Sequence, residues 1–330
     1  DAKTSASHGC EPNNRSIEEL LEAGMLVVDK PAGPNSHQVS AWARDILGVG
    51  KLGHGGTLDP FATGVLVLLS GRSMRLTKKV LNHDKTYVGV LRSPRDFDED
   101  ALSRALTQLS GEVYNVPPEI SAVKVQVRSR RMEATLLDID GRNAAIKVSC
   151  QAGTYIRTLA RDIGLLLGHP VELKELRRTK SGRFSEPQTI TLQDLKDAMW
   201  MWKEKGDEGA MRRILAPIET LVCELPEVVV KDGAAGAIAH GAALMRPGIV
   251  SISDQLERGD TGLRDQPDGA APARGHVPVP GQRVVESLQR RGGEFAGERA
   301  KPRERLLLGA LRHVVLLLLH QARSELRLHW

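Results

Sequence analysis

An α+β fold is what this sequence predicts, and three observations carry that prediction. Apolar residues recur at helical spacing in two segments: Val39, Trp42, Ala43, Ile46 and Leu47, then Ile156, Leu159, Ala160, Ile163, Leu166 and Leu167. Around them lie short runs of strand character at residues 65–69, 86–91 and 145–150. The 330-residue chain is 41% hydrophobic, which leaves room for two domains, and its style changes near Cys223 and again at Gly262.

Taken in order, residues 1–16 are polar and read as a mobile arm. Residues 17–23 suit a helical turn and residues 25–28 a strand that ends in Asp29-Lys30-Pro31. Ser36 stands where an N-cap belongs and Gly48 where the first long helix stops. Residues 48–53 spell G-x-G-x-x-G, but they follow a helix and lead into a turn, whereas a dinucleotide fingerprint follows a strand and opens a helix. A P-loop is also excluded, since no Gly-Lys-Ser/Thr occurs there. Residues 53–64, GHGGTLDPFATG, set one carboxylate, Asp59, between a glycine cluster and an apolar run. Glycine lets the backbone approach a ligand closely, and Pro60 pushes Asp59 towards an extended conformation. An acid on such a turn suits a nucleophile or a base; aspartate in a Gly-rich loop is also a common turn former.

Residues 98–109 read as a helix with Leu102, Ala105, Leu106 and Leu109 inward. Pro117-Pro118 opens a segment carrying Lys124, Arg128, Arg130 and Arg131, either a solvated edge strand or a set of cations that neutralise phosphates. Arg157 falls in the first turn of the second long helix, where the macrodipole disfavours a cation, so it is placed there for another reason, such as pairing with a carboxylate. The basic character continues through Arg177 and Arg178, and Thr191 with Asp194 caps a helix running to about Trp202. Residues 227–230 read as a strand, 232–240 as an Ala/Gly-rich helix and 246–250 as a turn into a strand. From Gly262 no period of 2 or 3.6 persists and Gly, Pro and Arg dominate, the composition of disorder or of a shifted reading frame.

The net charge of +5 is compatible with a polyanionic partner, while 3% aromatic residues argue against a broad base-stacking platform. Cys10, Cys150 and Cys223 are odd in number and far apart, so they build neither a disulfide framework nor a zinc spacing. A reducing, cytoplasmic setting is expected. The N-terminal residues have no apolar signal core, and the apolar stretch 306–319 is broken by Arg312 and His313, so a soluble protein with no membrane partner is expected.

The loop GHGGTLDPFATG resembles the catalytic-aspartate motif of the RNA pseudouridine synthases of the TruB and dyskerin family. Lys30-Pro31 with Gly33, Lys85-Thr86-Tyr87 and residues 153–157 (GTYIR) resemble that family's other motifs, and the likeness runs over residues 20–261. It implies a catalytic domain at 17–222 with a mixed, largely antiparallel sheet, followed at 223–261 by the first part of a PUA-like β-barrel that is incomplete, with an aberrant tail at 262–330. It implies that Asp59 is the catalytic carboxylate, that Arg157 keeps it ionised and oriented, and that Tyr87 stacks on the target base and is the candidate to remove its C5 proton. Lys30, Tyr155 and Leu176 would line the pocket and His54 would hold the RNA once the target is extruded. Lys124, Arg128, Arg130, Arg131, Arg177 and Arg178 would contact RNA. No metal or other cofactor is implied.

The phrases PPEISAVKVQVRSRRMEATLLDID and LKELRRTKSGRF resemble the archaeal and eukaryotic, dyskerin-type branch. That branch implies the catalytic subunit of an H/ACA ribonucleoprotein, with guide RNA, rRNA and small protein partners, and a nucleolar location only in a eukaryote. A stand-alone enzyme for the T-loop uridine of tRNA and a non-catalytic RNA-binding scaffold are the alternatives.

Overall fold

The computed structural model describes residues 11–116, 127–239, 242–253, 261–265 and 279–280. In chain order its elements are α1 (Ile17–Glu22), β1 (Gly24–Lys30), α2 (Ser36–Leu47), β2 (Leu52–His54), β3 (Thr63–Ser70), α3 (Thr77–Leu81), β4 (Lys85–Arg92), α4 (Glu99–Gln108), β5 (Gly111–Asn115), β6 (Arg128–Asp140), β7 (Asn143–Cys150), α5 (Ile156–Leu167), β8 (Glu172–Ser181), β9 (Phe184–Ser185), α6 (Leu192–Lys205), α7 (Gly209–Ile214), β10 (Ala216–Pro217), β11 (Glu227–Val230), α8 (Asp232–Ala239), β12 (Ile249–Ile252), β13 (Thr261–Asp265) and β14 (Val279–Pro280). They group into two units, one formed by Met25–Ser70 with Leu76–Ile214, the other by the remainder.

The first unit is built on a mixed sheet in the order β1-β3-β8-β4-β7-β6-β5, with β2 added to β3 and β9 to β8. Its strand pairs are antiparallel except for β3 with β8, which run parallel through Thr63–Arg177 and Gly64–Arg178. β3 is buried at every position but its first, as its unbroken apolar run predicts for a strand covered on both faces. β4 alternates instead, putting Lys85, Tyr87, Gly89 and Leu91 on one side. That side packs on α5: Ile156, Leu159, Ala160 and Ile163 share a core with Tyr87, Leu91, Ile146, Val148 and Leu176.

The sequence marks neither β5 nor most of β6. β6 is long but largely exposed, so no apolar alternation announces it; β5 and β7 hold it through backbone hydrogen bonds on either side. Ser36 also differs from expectation. The N-cap of α2 is Asn35, in a capping box with Gln38, and Ser36 is the first helical residue. Its hydroxyl is engaged elsewhere, at Leu58.

In the second unit a small sheet runs β12-β11-β13-β14 and packs α8 over Val228, Val230, Ala235, Ile238 and Leu244. Among the described residues this sheet does not close into a barrel. β13 begins at Thr261, the expected domain edge, and runs parallel to β11. Apart from it and β14, the tail from residue 262 lies outside the described residues, as do Cys10 and Lys124. A buried ion pair, Arg15 to Glu219 at 3.0 Å, ties the segment before α1 to the residues before β11. Among the described residues no helix is long and apolar enough to cross a membrane.

The parallel seam has a steric requirement at Gly64, whose φ is +100° and whose added Cβ would lie 2.3 Å from the carbonyl oxygen of Arg178. Gly64→Ala therefore combines left-handed strain with a backbone clash and should lower stability by about 2–4 kcal/mol, read from the urea midpoint. An unchanged midpoint would contradict the tight seam.

Candidate active site

Asp59 sits on the loop between β2 and β3, in a turn closed by Ala62 N–H donating to Asp59 C=O at 3.1 Å. Its carboxylate meets the guanidinium of Arg157 side-on: Nη2 to Oδ1 is 3.1 Å and Nε to Oδ2 is 3.0 Å. Such a two-point pair fixes the plane of the carboxylate as well as its position. Both side chains stay about one-third exposed, so the acid is oriented and still reachable. Arg157 reaches it from the first turn of α5, the partnership that its position against the helix dipole foreshadowed.

The loop is clamped from beneath by side chains. Lys30 is fully buried, and its ammonium donates to the carbonyls of Pro31 (2.8 Å), Pro60 (3.1 Å) and Ala62 (2.7 Å). With every donor used on backbone, Lys30 shapes the loop rather than presenting a charge to a pocket. Ser36 Oγ accepts from Leu58 N–H at 2.8 Å and donates to Leu58 C=O at 3.2 Å. Arg178 donates to the carbonyls of Val65 (2.7 Å), Gly56 (3.2 Å) and, at the long edge, Thr57 (3.5 Å).

Tyr87 lies against this arrangement, mostly buried, with Asp59, Cys150 and Arg178 acting on its hydroxyl. Burial pushes the phenol above its ordinary range and Arg178 opposes that shift. Leu176 is buried in the same core as Tyr87. Tyr155 is the N-cap residue of α5, immediately before Ile156 and Arg157. Its backbone is held by Asn115, whose side chain accepts from Tyr155 N–H at 2.8 Å and donates to its carbonyl at 3.3 Å. Asn115 carries no signal in the sequence beyond being polar before a double proline.

The basic residues divide. Arg128 and Arg131 are exposed on β6, with Asp84 3.9 Å from Arg131. Arg130 is half-buried with its guanidinium over Gly153, at the head of GTYIR. Arg177 is committed to Asp29 through two bonds of 3.0 and 2.9 Å and to Glu186. Arg178 is 1% exposed, so the structure does not offer it to RNA, contrary to the sequence expectation. Both arginines lie on a central strand, where neighbours on each side capture them.

A cavity of about 600 Å³ opens beside the site, lined by Lys85, Thr86, Arg131, Cys150, Gln151 and Lys180 among others, but it does not include Asp59. Burial lowers Lys85 to about 8 and raises the Cys150 thiol to about 11. Among the described residues no group of three or more His, Cys, Asp or Glu is placed to hold a metal ion.

His54 ends β2, its ring 4.7 Å from that of His37 in an edge-on contact and its Nδ1 buried without a partner. Burial, then His37 and Arg178, lowers its pKa from 6.5 to about 4. Between those values the unfolded chain binds a proton that the folded protein refuses, so this group's contribution is intact above 6.5 and is lost as pH falls towards 4. His54→Gln should flatten the fall in urea midpoint over that interval; an equally steep fall in the variant would refute the assignment.

Family models match four successive stretches: the DKCLD (NUC011) domain at residues 1–40, the TruB family pseudouridylate synthase N-terminal domain at 44–93, the tRNA pseudouridylate synthase B C-terminal domain at 157–223 and the PUA domain at 226–291. The chain is 43% identical over 262 residues to the probable tRNA pseudouridine synthase B of Methanothermobacter thermautotrophicus, covering 79% of this chain and 81% of that one. The corresponding protein of Methanocaldococcus jannaschii is 44% identical over 276 residues, covering 83% and 82%. Among solved structures, a Cbf5-Nop10-Gar1 complex matches with TM-score 0.78 and 38% identity over 89% of each chain. An archaeal box H/ACA sRNP Nop10-Cbf5 complex matches with TM-score 0.76 and 36% identity over 88% of this chain and 89% of that one. With the aspartate–arginine pair assembled and likeness of this extent, the chain belongs to the TruB and dyskerin family of RNA pseudouridine synthases.

Proposed function

We propose that this chain isomerises uridine to pseudouridine in RNA as the catalytic subunit of a guide-directed H/ACA ribonucleoprotein. The observation that carries the reading is the oriented, reachable Asp59 carboxylate on Arg157, with the Tyr87 phenol acting beside it. The reaction breaks the N1–C1′ bond, turns the uracil, joins C5 to C1′, removes the C5 proton and returns a proton to N1, so that the product is an isomer of the substrate. Asp59 supplies the carboxylate that attacks, at C1′ or at C6 of the base. Arg157 holds its attacking face in place through both oxygens. Tyr87 lies under the base and is the group for the C5 proton; its raised pKa leaves it a neutral phenol at pH 7, so it takes that proton as it hands on its own, the net transfer running from C5 to N1. Tyr155 and Leu176 border the base, and His54 holds the RNA strand from which it has been flipped.

Arg128 and Arg131, exposed on β6, and Lys180 across the adjoining cavity supply cations for the RNA backbone. The H/ACA assignment draws support from the Cbf5 chains, solved with Nop10 and Gar1, and from an H/ACA RNP bound to a substrate RNA containing 2′-deoxyuridine, which matches with TM-score 0.76 over 89% of each chain. A catalytic domain at 17–222 and a PUA domain beginning at 223 fit this role. Cys150 and Cys223, both thiols and not disulfide-bonded, suit a reducing cytoplasm. Direct modification of tRNA is the second reading, favoured by the names of the curated relatives.

Asp59→Asn should abolish pseudouridine formation while leaving the circular dichroism spectrum and RNA affinity near wild type; retained turnover removes Asp59 from the mechanism. Product on an rRNA fragment should require guide RNA together with small protein partners. Full activity of the purified chain on a bare tRNA transcript, with none on guide plus rRNA fragment, would select the second reading.

A further inference from the structure

Arg178 is the bulkiest fully buried side chain among the described residues, and a buried guanidinium needs hydrogen-bond partners away from water. Its position in the sheet supplies them. β8 lies between β3 and β4, and residue 178 is the cross-strand partner of Gly64 on one side and of Tyr87 on the other. It is the point where the strand continuing from the aspartate loop and the strand carrying the tyrosine share a neighbour. From there the guanidinium bonds Gly56 and Thr57, which precede Asp59, and Val65, which follows it, so one planar group spans both limbs of the loop. It also lies directly across the β8–β4 pair from Tyr87, close enough for its charge to act on the phenol.

We propose, resting on the function proposed above, that Arg178 is a positioning residue which sets the separation of the Asp59 carboxylate and the Tyr87 hydroxyl by bonding the loop of one while standing across the strand pair from the other. Arg157 orients the carboxylate from the open side; Arg178 places the loop from the closed side. The two arginines are not interchangeable, because Arg178 never reaches solvent or RNA. Lysine cannot replace it either, since a single ammonium lacks the planar fork needed to reach carbonyls on both limbs of the loop together. The titratable and charged groups acting on Tyr87 are Arg178 from β8, Cys150 from β7 and Asp59 from the loop. Of these only Arg178 favours the deprotonated phenol, so its removal should move Tyr87 to higher pH.

The test uses the full chain, assembled with the RNA and partners that support wild-type turnover, and the variants Arg178→Lys and Arg178→Met. The chain has three tyrosines, Tyr87, Tyr114 and Tyr155, so carbon-13 labelling at tyrosine Cζ gives a spectrum that a Tyr87→Phe control assigns. For Arg178→Lys, kcat should fall about 10²-fold from misplacement of the reacting groups, with KM for RNA little changed. The Tyr87 resonance should shift and titrate at higher pH in both variants. Wild-type kcat in Arg178→Lys, or a Tyr87 resonance that does not move, overturns the proposal. Should both variants fail to fold, nuclear Overhauser contacts between the Arg178 guanidinium protons and Tyr87 in the wild-type protein decide it: their presence is expected and their absence is fatal. A wild-type protein without pseudouridine product would instead count against the proposed function, and the spectra would still report whether Arg178 holds Tyr87.

Discussion

The site depends on two buried cations bonded to backbone carbonyls. Lys30 and Arg178 between them hold the carbonyls of residues 31, 56, 57, 60, 62 and 65, which lie on both sides of Asp59. A loop of this kind carries many carbonyls that no helix or sheet ladder can satisfy. Supplying them with charged donors fixes the loop against a reference within the fold. Lys30 uses all three of its donors in this way and each nitrogen of the Arg178 guanidinium reaches a carbonyl, which offsets the cost of burying a charge. Burial still shows its effect on Lys30, whose pKa is lowered by desolvation although Asp59 nearby pulls the other way.

The outward face follows the opposite logic. Asp59 and Arg157 are both about one-third exposed, so their pairing contributes orientation more than stability. A carboxylate that must react has to be accessible, and a carboxylate that must react at one atom has to be aimed. Rigid carbonyl ties below and a two-point guanidinium contact above satisfy these needs separately. The first group of residues can be wholly interior while the second remains open to solvent.

Topology brings these parts together. The parallel pairing of β3 with β8 places Arg178 against the strand continuing from the Asp59 loop. The antiparallel pairing of β8 with β4 places Tyr87 on its other side, and β7 beyond it leads into GTYIR and α5, which delivers Arg157. Asn115 pins the start of that helix from β5. Motifs scattered over more than a hundred residues of sequence converge because neighbouring strands carry them.

Local features were legible from residue order alone: the amphipathic α2 and α5, the strands β3, β4 and β7, the cap at Thr191 and the special character of the Asp59 loop. Periodicity and capping are short-range properties, and each leaves its mark within a dozen residues. Arg157 was partly legible too, since a cation in the first turn of a helix needs a reason beyond that helix. What the sequence could not determine was the destination of individual polar side chains. Arg177 and Arg178 look alike in a basic run, yet one joins surface carboxylates and the other fills the interior; Ser36 looks like a cap and instead ties the loop at Leu58. Those outcomes belong to the tertiary structure, because burial and hydrogen-bond partnership are set by strands and loops that lie far away along the chain.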